Sequence, residues 1–371
     1  MKLFKKNINR LIKIRSFWVL ILSFFVILIV RTEYTYASYF FEGSDSQNQQ
    51  KFRTQREQSK KRNKLTLEFY GGYSTLSPKD LHTGAQYIEN LYDWYYEDRY
   101  QYFSSRYSGY FHYTGSKTGK FQKIMNAFPL GLRIKYYIRP RLAFSLGFQY
   151  ISREETSNIN YEYQVSSAIP DQPQFIEDYT RTLDLSPLLI SVKGYTPLLG
   201  VHYEIPLSRS LFVESYLTGG LLFARFQFTG RETFAESNVY DFWEESIDEY
   251  DYKGSGIGYS LGAGVRAEWR AFRNAGLFIE GGYTLQRAGR IYGPGTYDYC
   301  YTDSNAPQIC EPSSSWEAYW GLSFISASRE WGEFSDGRLD AFRDKSESSV
   351  NNFHLDLSGF QLRIGLSLRI W

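Results

Sequence analysis

Residues 128–150 read FPLGLRIKYYIRPRLAFSLGFQY, and this stretch decides the fold. Phe128, Leu130, Leu132, Ile134, Tyr136 and Ile138 alternate with Pro129, Gly131, Arg133, Lys135 and Tyr137. Arg139-Pro140-Arg141 interrupts the run. Leu142, Phe144, Leu146, Phe148 and Tyr150 then alternate with Ala143, Ser145, Gly147 and Gln149. Strict period-two alternation gives a β-strand two unlike faces. The three-residue break is a hairpin turn.

Working outward, the same pattern recurs in six further segments. These are 65–73, 195–205, 211–223, 257–269, 277–285 and 360–370, each with one continuous apolar face. Eight strands result, each close to the 9–11 tilted residues that cross a bilayer. Aromatics make up 19% of the chain, with 33 Tyr, yet mean hydropathy is −0.43. No apolar stretch after residue 37 is long enough for a spanning helix. The pattern therefore fits a secreted soluble β-protein or a membrane barrel, in which only alternate residues meet lipid. The connections separate the two. Arg139 to Arg141, Pro206 to Ser210 and Arg273 to Gly276 are tight, whereas about 77–120, 166–177, 230–254 and 293–352 are long. Strict alternation of short and long is the asymmetry of a barrel with short periplasmic turns and long extracellular loops. A lipid-exposed sheet must also close on itself, because an open edge leaves backbone groups unpaired in hydrocarbon.

The N-terminus carries Lys2, Lys5, Lys6, Arg10, Lys13 and Arg15, then a 14-residue apolar run from Phe17 to Val30, then Thr35-Tyr36-Ala37. This order predicts a signal peptide over 1–37. A retained anchor is the alternative, and the run is short of the roughly 20 residues it needs. Residues 38–63 are polar and predict a disordered periplasmic leader, with the barrel over 64–371. Removing 1–37 takes seven of 42 basic residues and one of 40 acids, leaving 35 against 39, a charge of −4. The remaining charge gives no reason to expect nucleic-acid binding.

The chain resembles the small eight-stranded bacterial outer-membrane barrels, the class of the OmpA transmembrane domain and OmpX. The resemblance covers about 64–371 and is carried by strand alternation, loop asymmetry and the aromatic last residue, Trp371. Trp371 departs from the usual form in being out of step with Leu366, Leu368 and Ile370. The resemblance implies an up-and-down antiparallel barrel in the outer membrane. Outer-membrane lipid and lipopolysaccharide are then its partners, with the barrel-assembly machinery during insertion. Trp316 to Ala327 reads as a hairpin strand in the last outer loop; a membrane crossing there would make ten strands.

The inward set holds Arg133, Lys135, Arg266, Arg270, Arg363 and Arg369 with Glu68, Glu204, Glu214, Glu268 and Glu280. Eight strands enclose only enough room for side chains, and enclosed ions need partners to offset desolvation. These eleven residues are expected to form an internal ion-pair network, with a charged selectivity lining as the alternative. Gly254, Gly256, Gly258, Gly262 and Gly264 are read as leaving space beside them. Cys300 and Cys310 are expected to pair in an oxidising compartment.

Gly258-Tyr259-Ser260-Leu261-Gly262 matches the esterase G-x-S-x-G pattern, but it sits mid-strand rather than at the strand-to-helix elbow that exposes such a serine. His82, His112, His202 and His354 supply no specific catalytic pattern, and His202 beside Glu204 reads as part of a polar network. The 231–253 segment is strongly acidic but lacks calcium-loop spacing, and reads as a solvated loop. No phosphate-binding glycine motif is present. The expected role is structural or adhesin-like, through aromatic outer loops and an extracellular protein ligand. A narrow channel and a lipid-modifying enzyme are the alternatives. No catalytic residue, cofactor or metal is assigned.

Overall fold

The structure, a computed structural model, describes residues 65–76, 78–93, 111–169, 172–208, 210–238, 243–270, 272, 274–326, 335–342 and 353–370. The signal peptide, the leader and Trp371 lie outside them. The alternating segments become β1 (Leu65–Thr75), β3 (Asn126–Tyr137), β4 (Leu142–Ile169), β5 (Gln172–Pro206), β6 (Leu211–Asn238), β7 (Trp243–Trp269), β8 (Ala275–Asp303) and β13 (Gly359–Ile370). Each pairs antiparallel with the next, β8 pairs with β13, and β13 returns to β1. The ring of eight closes without an edge, as strands facing hydrocarbon must.

Alternation places Leu130, Leu199 and Ile364 outside, with 57%, 67% and 62% of their surface uncovered. Similarly exposed side chains come from every strand of the ring, among them Phe69, Leu146, Leu221, Val265 and Leu277. On β6 and β7 the apolar outer face runs over 211–223 and 257–269. Thirteen residues at about 3.3 Å each, tilted near 45°, span about 30 Å, the thickness of a bilayer core. This continuous belt faces lipid.

Above the belt the hydrophobic phase reverses while the backbone continues. On β5, Leu199 and Val201 face out, but Leu188, Ile190 and Val192 face in and are fully buried. On β6, Leu221 and Phe223 face out, while Leu222, Ala224, Phe226 and Phe228 face in. The upper lumen therefore holds an apolar core, which also takes Ile159, Tyr161, Leu183, Tyr250, Ile291 and Trp320.

The long connections are correspondingly less loop-like than their composition suggests. β4 and β5 run to Ile169 and from Gln172, and β6 and β7 run to Asn238 and from Trp243. Segments 166–177 and 230–254 are thus mostly the ends of hairpin strands. The 77–120 segment contains a helix, α1 (Lys79–Tyr92), and a strand, β2 (Phe111–Gly119), that pairs with β4. The last segment contains β9 (Ala306–Cys310), β10 (Ser314–Ser326), β11 (Ser335–Phe342) and β12 (His354–Asp356). β10 pairs with β8 and β11 outside the ring, so the barrel has eight strands, not ten.

α1 caps the apolar core. Leu81, Ala85, Ile88 and Tyr92 fall on one helical stripe, with Leu81 and Ala85 fully buried. Polar straps hold it. Glu89 accepts from Lys117 Nζ at 2.7 Å and from the Phe121 backbone N–H at 2.9 Å. Asp80 accepts from the His354 N–H at 3.0 Å. Tyr92 donates to Glu232 at 2.7 Å.

Candidate functional site

The strand pleat aims alternate side chains into the lower lumen, and all eleven ionic residues expected there meet as one connected set. Glu68 is the hub. It accepts from Arg133 Nε at 2.7 Å and Arg266 Nη1 at 2.6 Å, and Lys135 Nζ lies 3.0 Å away. Arg133 continues to Glu280 at 2.7 Å, which also accepts from Arg363 at 2.5 Å. Lys135 continues to Glu214 at 2.5 Å. Arg266 lies 3.3 Å from Glu268, which takes Arg270 at 3.2 Å and Arg369 at 3.1 Å. Arg270 closes the chain on Glu204.

Aromatic rings cover the guanidinium planes. Arg266 lies 3.6 Å over Phe278, Arg270 lies 3.4 Å over Phe212, and Arg363 lies 5.0 Å over Tyr70. Such stacking suits the weakly hydrated, planar guanidinium better than an ammonium. Above the ions comes a layer of amides and hydroxyls. Arg363 donates to Gln149 at 3.0 Å, and Gln286 donates to Ser260 at 3.2 Å and Thr196 at 3.3 Å. The lumen thus has three storeys: ionic, amide and apolar. The glycines of β7 do not flank the ions as a group. A Cβ at Gly254 would meet the Phe226 ring and Ile291, and one at Gly264 would meet Tyr216. The space beside Gly258 is taken by the Arg287 and Ala288 backbone, and that beside Gly262 by Thr218.

Sequence reasoning did not single out Ser145 and Glu214 as neighbours of His202. His202 Nδ1 lies 2.8 Å from Glu214 Oε1, and Nε2 lies 2.7 Å from Ser145 Oγ. The order Ser–His–Glu is that of a nucleophile, base and orienting acid. Cross-strand register builds it: Ser145 faces Gly200, two residues from His202, and β6 brings Glu214 alongside. Two observations describe how tightly the group is held. Glu214 is shared with Lys135, and a mere Cβ at Gly200 would stand 2.5 Å from Ser145 Oγ and 2.9 Å from His202 Nε2. Ser145 and His202 are thus packed against the Gly200 backbone.

The remaining candidates are placed as follows. Ser260 is fully buried mid-strand and takes a bond from Gln286. His82 accepts from the Ile124 N–H at 3.0 Å, and its burial, with Lys123 nearby, holds it down to about 4. His354 lies 3.9 Å from Asp80, and His112 stands on β2. Cys300 and Cys310 are joined by a disulfide between β8 and β9. The acidic segment is paired strand over 231–238 and 243–253 rather than a solvated loop. Glu232 is bonded by Tyr92, Glu236 by Arg181 and Asp248 by Tyr297. Burial raises the Glu232 carboxyl to about 7, helped by nearby Asp248. Among the described residues no group of three or more His, Cys, Asp or Glu is arranged to hold a metal.

A closed ring, a lipid-facing belt and a filled lumen together fix the class of the molecule. It is a bacterial outer-membrane β-barrel. No family model matches the chain, and no curated protein does. Among solved structures it is similar to a major outer membrane protein from Thermus thermophilus, at 12% identity and a TM-score of 0.29, covering 82% of this chain and 99% of that one. It is also similar to the outer membrane protein OprG from Pseudomonas aeruginosa, at 10% identity and 0.28, covering 83% and 98%. A third is the outer membrane protease OmpT from Escherichia coli, at 10% identity and 0.22, covering 82% and 96%. The class rests on this barrel's own belt and ring.

Proposed function

We propose that the barrel is a non-conducting anchor that holds a rigid extracellular sheet for docking another protein, with no catalytic step. One observation carries this reading: β4 to β8 continue as a single hydrogen-bonded wall beyond the lipid belt, packed around an apolar core. A solute path would need water in that core, whereas a docking platform needs the stiffness it supplies. The platform carries tyrosines in pairs with carboxylates. Tyr292 donates to Glu317 at 2.5 Å and Tyr301 to Asp303 at 3.1 Å. Tyrosine offers a large contact area at small entropic cost.

The test removes the upper hairpins of β4–β5 and β6–β7 above the rows at Ser157 and Gly230, leaving the belt. Cells displaying the full chain are screened against extracellular proteins, and each hit is measured on the shortened barrel. Affinity is expected to fall about tenfold or more. Equal binding by the shortened barrel, or no binder at all for the full chain, sinks the docking role. Ser145→Ala is expected to leave the outer-membrane lipid profile unchanged; a changed profile would restore the enzyme alternative.

A further inference from the structure

Immediately above the belt, the outer wall carries two cations where a sheet ordinarily avoids them. Lys193 on β5 and Arg225 on β6 are directly opposed across the strands, and both are exposed. Opposed residues have Cβ atoms about 5 Å apart, and like charges there are destabilising. Nothing neutralises them: among the described residues neither has a carboxylate within ion-pair distance. Glu154 sits one row higher, opposite Ser191, and Asp251 is taken by Lys253 at 2.5 Å and by Gln227 at 3.1 Å.

The row continues sideways as Ser152 on β4, Lys193, Arg225 and Ser255 on β7; Ser255 Oγ donates to the Tyr292 carbonyl at 3.4 Å, so the available donors come from β4, β5 and β6. Strands stand about 4.8 Å apart, so the four span about 14 Å. The next outward row down is Tyr150, Tyr195 and Phe223, with the two tyrosine rings 5.1 Å apart. Such an aromatic row marks the interface between hydrocarbon and headgroups. The donor row therefore lies at headgroup depth.

We propose that Lys193 and Arg225 bind the phosphate of an outer-leaflet lipid headgroup, with Ser152 as a flanking donor. A phosphate dianion between the two cations turns a repulsive pair into two charge-assisted contacts, and the guanidinium suits its geometry.

The test uses the full chain in nanodiscs with three probes: lipid A bearing both phosphates, lipid A stripped of them, and inorganic phosphate. Lys193→Gln combined with Arg225→Gln is expected to weaken binding of the phosphorylated lipid about thirtyfold, with heat-modifiable gel migration unchanged. The stripped lipid is expected to bind wild type as weakly as the variant does. Lys193→Glu is a second probe. It places a carboxylate opposite Arg225, so it holds or raises the thermal midpoint while abolishing lipid binding. Equal binding by wild type and double variant overturns the site. Equal binding of stripped and phosphorylated lipid does the same. Displacement of the lipid by millimolar inorganic phosphate would overturn the lipid assignment, showing a free-anion site instead.

Discussion

At the residue scale, two titrating groups near α1 oppose each other. Glu232 has its carboxyl raised from an ordinary 4.5 to about 7 by burial. Between those values the folded state holds a proton that the unfolded state lacks, so this contribution to stability is lost as pH rises from 4.5 to 7. His82 is lowered from 6.5 to about 4 by burial. Between those values the unfolded state takes the proton, so its contribution is lost as pH falls from 6.5 to 4. Each slope is about 1.4 kcal/mol per pH unit, with opposite sign. They cancel in wild type between pH 4.5 and 6.5. Relative to wild type, Glu232→Gln should gain stability with rising pH across that window, and His82→Gln should lose it. Thermal midpoints read from tryptophan fluorescence decide this; superimposable pH profiles for all three proteins would contradict the assignment. In the lower lumen, Glu68 meets three cations at 2.6–3.0 Å. Glu68→Gln leaves them short of a buried anion and should cost about 3–5 kcal/mol, measured by urea unfolding in lipid vesicles. A loss under 1 kcal/mol would mean that water reaches these ions.

At the element scale, α1 and the ring can be separated. Leu81 is fully buried in the apolar core, whereas the belt strands are held by their own ladders. Leu81→Asp should free the cap, making the chain around 77–120 protease-sensitive, while heat-modifiable migration of the ring persists. Loss of both together would show that the cap and ring fold as one unit. The sequence made the ring legible because lipid imposes one rule on every outward position from Phe128 to Ile138 and from Phe360 to Ile370. The inner ions were legible for the same reason, being the off-phase residues of those strands. The upper walls of β4 and β5 were legible as strands running past membrane length, over about 141–165 and 178–205, whereas those of β6 and β7 were not. There the apolar row of β6 moves from Leu221 and Phe223 outside to Leu222, Ala224, Phe226 and Phe228 inside, so polar outward residues imitate a loop. α1 was hidden similarly. Its stripe of Leu81, Ala85, Ile88 and Tyr92 is diluted by Thr83, Gly84 and Gln86, and only the helical spacing betrays it. Ser145, His202 and Glu214 stand on three strands, and their meeting depends on register across β4, β5 and β6, which spacing along one chain does not show.

At the scale of the whole molecule, the lumen is blocked twice in series on the proposed non-conducting reading. The lower seal is ionic and the upper is apolar, with α1 as its lid. They fail for different reasons: the first by losing a counter-charge, the second by wetting. An ion must pass both, so opening one leaves the other barrier intact. Reconstituted wild type should therefore give no unitary current in planar bilayers. Glu68→Gln alone should remain silent, because its disturbed ions still lie beneath Phe226, Phe228 and Leu222. Leu81→Asp alone should also remain silent, because the connected carboxylates and guanidiniums still fill the lower ring. Only the combined variant should conduct, and its current should favour anions, since loss of Glu68 leaves six bases against four acids along the lower path. A current from Glu68→Gln alone would show that the apolar storey is wetted in the native state. A current from Leu81→Asp alone would show that the ionic storey is permeable, and the charged interior would then have to be read as a selectivity lining.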